Sequence, residues 1–137
     1  MKLIKKTVSK IPFDLHDSRI VKMEVNDDNL TLHLDQVYEY HKDSEKFYPA
    51  KLTFTDIDLE ECHALVFDKG MENGEFSGVR YNLQEYLEKY PDAEFEIITD
   101  TYNMTTTVME GYIYRDGQEA VAGIISLWTL GEVIADF

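Results

Sequence analysis

The sequence predicts an α+β fold built mainly of antiparallel sheet, with about seven strands arranged as a sheet or a sandwich and one short helix near residues 83–90. Three observations predict it. Apolar residues recur at a spacing of two over most of the chain, which marks strands with one covered face. Clusters of Asn, Asp and Gly separate these runs, as hairpin turns require. A single segment changes to helical spacing, bracketed by a capping residue and a proline.

Val21, Met23 and Val25 alternate with Ile20, Lys22 and Glu24, and Leu30, Leu32 and Leu34 alternate with Thr31, His33 and Asp35. The Asn26-Asp27-Asp28-Asn29 loop between them makes a hairpin, because Asn and Asp tolerate turn conformations and bond their own backbone. Residues 37–49 are polar and aromatic, extending the second strand and then looping. A third strand is expected over 51–59 and a fourth, short and apolar, over 62–67, followed by an acidic, glycine-containing loop over 68–78. Asn82 and Glu85 form an Asn-x-x-Glu box ahead of Leu83, Tyr86, Leu87 and Tyr90, which share one helical stripe, and Pro91 stops the helix. Alternation returns at 94–98. Residues 104–115 read as a long Thr- and Tyr-rich strand, and Asp116-Gly117 as a tight turn. The mostly apolar 120–128 follows as the best candidate for a central strand, and Val133-Ile134 as a last short element.

With 137 residues and 44% hydrophobic residues, the chain is expected to form one domain (1–137) with a real core. It carries 27 acidic and 13 basic residues, a formal net charge of −14. Residues 1–22 hold six bases and two acids; residues 23–137 hold seven bases and 25 acids. The basic start is read as an edge strand, where lysines discourage edge-to-edge pairing. The acidic remainder repels nucleic acid and anionic membranes and attracts basic partners. Cys62 is the only cysteine, so no internal disulfide can form. No apolar run approaches the roughly 20 residues of a membrane helix, and no signal-type apolar region follows the first lysines. The expected location is the cytoplasm, with no nucleic-acid and no membrane partner.

No constellation of residues reads as catalytic. His16-Asp17 occurs in a loop entering a strand, where it reads as a turn, and His33, His41 and His63 are scattered. Asp56, Asp58, Glu60 and Glu61 resemble the start of a calcium loop, but the sixth position is Glu61 rather than Gly and the twelfth is Phe67 rather than Glu. Cys62 and His63 are neighbours on a strand and point to opposite faces, so they cannot act as a catalytic pair. The reading is therefore no enzyme, no cofactor and no metal. Candidate partner-binding residues are the acids Asp56, Asp58, Glu60 and Glu61 and the tyrosine pairs Tyr38/Tyr40 and Tyr112/Tyr114, each pair lying on one sheet face.

Phe13-Asp14-Leu15-His16-Asp17-Ser18, with Ile20 and a hairpin following, resembles a group of small β-rich bacterial proteins, some of them immunity-like. That resemblance implies a binding protein that neutralises a toxin and carries over no functional residue. The leading expectation is a non-enzymatic binding or immunity-type protein whose acidic surface engages a basic protein. One alternative is a small-ligand-binding domain or minor enzyme, with a pocket between sheet and helix near Tyr86 and Tyr90. Another is a structural or oligomeric subunit joined through the apolar strand 120–128 or an exposed edge.

Overall fold

The computed structural model describes residues 2–5, 13–39, 46–68 and 77–136. Their strands are β1 (Lys2–Lys5), β2 (Phe13–Asp14), β3 (Arg19–Asn26), β4 (Asn29–Glu39), β5 (Lys46–Phe54), β6 (His63–Phe67), β7 (Gly78–Asn82), β8 (Glu94–Tyr102), β9 (Thr106–Tyr114), β10 (Val121–Trp128) and β11 (Val133–Asp136). One helix, α1 (Leu83–Lys89), and a single 3₁₀ turn (Leu59–Glu61) complete the described elements. All strand pairs are antiparallel, in the order β1-β11-β5-β4-β3-β8-β9-β10-β6-β7, with β2 beside β4. The class is as expected from sequence; among the described residues the strands number eleven rather than about seven.

The departures from the expected layout have local causes. The β3–β4 hairpin closes tighter than a four-residue loop: Asn26 pairs with Asn29, and Asp27 takes a φ of 54°. The β5 strand begins at Lys46 and ends at Phe54, so the expected strand over 51–59 is shifted. Pro49 sits inside β5, where proline normally breaks pairing. It is tolerated because β4 bulges opposite it, between Leu34 and Val37, and β11 pairs β5 only at residues 51–54. No ladder position there requires its missing N–H. Strand β7 falls in a polar segment that carries no alternation, and the loop expected over 68–78 lies largely outside the described residues.

A sheet of this width does not stay flat. Leu30, Leu32, Leu34, Leu52 and Phe54 from one half, and Phe95, Ile97, Met109, Ile113, Ile125 and Leu127 from the other, are all buried on one face and belong to one cluster. A seven-residue helix cannot cover that much sheet, so the two halves cover each other. They join along two seams. At one, β3 and β8 share only two residue pairs, Arg19–Glu96 and Ile20–Phe95. At the other, the chain leaving β5 meets the chain between β10 and β11: Ile57 bridges Thr129, Leu130 N–H donates to Asp56 C=O at 3.0 Å, and Thr55 N–H donates to Glu132 C=O at 2.9 Å.

Helix α1 is capped as its sequence predicts. The Asn82 side chain accepts from the Glu85 N–H at 2.8 Å, and Leu83 and Tyr86 point into the core. No described helix is long and apolar enough to cross a membrane.

Candidate acidic docking site

The second seam ends in a depression of about 500 Å³ lined by Asp27, Asp28, Asp56, Asp58 and Glu60 around Ile57, Leu59 and Leu130. Three pieces of chain meet there. The β3–β4 turn brings Asp27 and Asp28. The stretch after β5 brings Asp56, whose φ of 50° turns the backbone sharply. Asp58 caps the 3₁₀ turn by accepting from the Glu60 N–H at 3.2 Å, and Ile57 N–H donates to Asp28 C=O at 2.8 Å, tying the two acidic loops together. The β10–β11 connection brings Leu130, an apolar side chain 69% exposed. Five carboxylates thus line a depression that also exposes Leu130, with no base in the lining. Such a surface attracts cations and offers them a dry contact once they arrive.

Asp56, Asp58 and Glu60 of the sequence-level candidates line this depression, and Glu61 is exposed on the adjoining turn. Asp27 and Asp28 were read as turn residues only; their separation in sequence from Asp56 hid their common location. The tyrosines lie elsewhere. Tyr38 is half-buried, its ring 5.5 Å from that of Phe47. Tyr114 donates to Glu96 at 2.9 Å and lies 4.0 Å below the Arg19 guanidinium, whose nitrogen is 3.2 Å from Glu94. These contacts clip the β3–β8 seam from outside. Tyr112 is exposed, and Tyr40 lies outside the described residues. In the strand register Tyr38 pairs with Asp14 and Phe47, and Tyr114 with Glu94, toward the strand ends far from the acidic depression.

The Leu15-to-Ser18 turn is a staple. Leu15 is buried, Asp17 adopts φ 65°, and Asp17 N–H and Ser18 C=O bond the Ile97 backbone at 2.8 Å each. The Ser18 hydroxyl donates to Gln36 C=O, and His16 Nδ1–H donates to Ile98 C=O at 2.7 Å. The Ile98 carbonyl, then the Asp17 carboxylate, raises the His16 pKa. Sequence reasoning missed its neighbours Asp100 and Tyr102. Burial raises the pKa of both, and the Asp100 carboxylate beside the Tyr102 hydroxyl raises the tyrosine further.

The remaining candidates are structural as well. Cys62 is buried, its Sγ accepting from Trp128 N–H at 3.2 Å, and burial pushes its thiol pKa up, away from the reactive thiolate. His63 is half-exposed on the opposite face. Tyr86 fills core space, its ring centroid 5.7 Å from that of Tyr90, which in turn meets Tyr81 edge-on at 6.0 Å. A second depression of about 540 Å³ mixes Asp35, Asp136, Lys51 and His33, but Asp35 already accepts the Arg19 and Gln36 N–H groups. Among the described residues, no three His, Cys, Asp or Glu side chains converge to hold a metal ion. Comparisons with protein-family models, curated proteins and solved structures returned no match.

Proposed function

We propose that this chain is a non-enzymatic binding protein of the immunity type, whose acidic end engages a basic protein. The observation that carries the reading is the gathering of five carboxylates in one depression beside the exposed Leu130. Charge of one sign steers a basic partner to the site, and the exposed Leu130 supplies an apolar anchor beside the carboxylates. Electrostatic steering weakens as salt rises, because the screening length falls to about 3 Å at 1 M. The net charge of −14 extends the attraction beyond the site itself.

The test is affinity capture from a lysate of the source organism at low and high salt, in parallel with a variant carrying Asp27→Asn, Asp56→Asn and Asp58→Asn. A basic partner is expected that is held at low salt, released at high salt and lost with the variant. A partner retained equally by the variant, or no partner at any salt, overturns the reading.

A further inference from the structure

The outward face of β9, β10 and β6 departs from the pattern of a solvated antiparallel sheet, which reads polar outside. Its outward positions are Val108, Tyr112, Ala122, Ile124, Trp128 and Leu65, interspersed with Thr106, Tyr114, Ser126 and His63, and among the described residues of these strands Glu110 is the one acidic outward side chain. Tyr112 is 46% exposed and Trp128 38%. The rest of the chain carries most of 27 acids, so this face is set apart by its low charge and by the apolar side chains it exposes.

The strand register arranges its charges symmetrically. One row crosses the sheet as Glu110 on β9, Ile124 on β10, Leu65 on β6 and Arg80 on β7. The acid and the base lie at the two ends, about 14 Å apart over three strand spacings, with only apolar residues between. The next row pairs Tyr112 with Ala122, and Phe67 with Gly78, so a bulky ring stands at one border and a residue without a side chain at the other.

We propose that a second copy of this chain packs face to face on this patch, about a two-fold axis parallel to the strands and passing between β10 and β6. A two-fold interface requires a surface complementary to itself. Rotation about this axis sets Glu110 against the partner's Arg80, and Arg80 against the partner's Glu110, across the roughly 10 Å that separate packed sheets. It also lays Ile124 on the partner's Leu65 and Tyr112 on the partner's Gly78. A two-fold axis across the strands sets Glu110 on its own copy and is disfavoured. A basic partner is drawn instead to the acidic end, because the two border charges of this face cancel. The patch covers about 400 Å² in projection on each copy (four strand spacings by three outward side-chain repeats), small for a specific interface, so the dimer is a weak, reversible one.

Sedimentation equilibrium of the full chain at 150 mM salt tests this. The wild type is expected to show a reversible monomer–dimer equilibrium. Glu110→Arg and Arg80→Glu each place like charges at two symmetric positions and weaken dimerisation about tenfold or more; the double variant restores it to within about threefold. Both side chains are exposed, and circular dichroism verifies that each variant folds. A wild type that stays monomeric to about 1 mM, single variants that dimerise like the wild type, or a double variant that fails to recover each overturns the proposal. Neutralising the acidic end leaves this equilibrium unchanged, which separates it from the reading above.

Discussion

Asp100 shows how one residue can be misplaced by a pattern that is otherwise right. Simple alternation from Phe95 and Ile97 puts Thr99 and Thr101 inside. The register shifts between Ile97 and Thr99, so Asp100 and Tyr102 pair with the inward Met109 and Thr107 instead. Burial then raises the Asp100 carboxyl above its ordinary value of 3.8. A carboxyl whose folded pKa is raised favours the fold below its unfolded pKa, and that contribution is lost as pH climbs through the raised folded value. At neutral pH the half-buried carboxylate weakens the fold. Asp100→Asn is expected to melt above the wild type at pH 7, with the advantage vanishing near pH 3. A lower melting point at pH 7 would show that the carboxylate supplies a needed bond, with Tyr102 the nearest candidate. His16 follows the same sign. Its raised pKa adds stability that is present below pH 6.5 and lost as pH rises above its folded value. The same bulge places Ile98 C=O within reach of the His16 ring.

At the scale of elements, breaks in pairing decide what each strand can hold. Gly111 lies opposite the β8 bulge, where an added Cβ would sit 1.8 Å from the Glu96 carbonyl oxygen. Gly111→Ala therefore forces the β8 and β9 backbones apart, and a urea titration is expected to show a loss of about 2 kcal/mol or more. Pro49 is the converse case, a residue that reads as a strand breaker but sits where the ladder is already open. Helix α1 needed no such correction. Its cap, stripe and stop lie within ten residues, so local sequence contains the whole instruction; Asn82→Ala is expected to cost about 1 kcal/mol in the same titration.

At the scale of the whole molecule, stability rests on two sheet halves burying each other. Phe54 is fully buried on β5, next to the seam where that strand's exit meets the β10–β11 connection. Phe54→Ala opens a cavity that neither half can fill alone, with an expected loss of about 3–5 kcal/mol by chemical denaturation. The sequence by itself determined the alternation, the β3–β4 hairpin, the capped helix, an apolar strand paired on both sides and the excess of acid, because each depends on residues a few positions apart. Only the tertiary structure decided which distant segments meet. It gathered Asp27 and Asp28 with Asp56, Asp58 and Glu60 around Leu130, and left the tyrosines at the far strand ends. It also lined up Glu110, Ile124, Leu65 and Arg80 in one row. The physical reason is register. Cross-strand neighbours are fixed by bulges and by closure of the sheet over a shared core, and neither leaves a local mark in the order of residues.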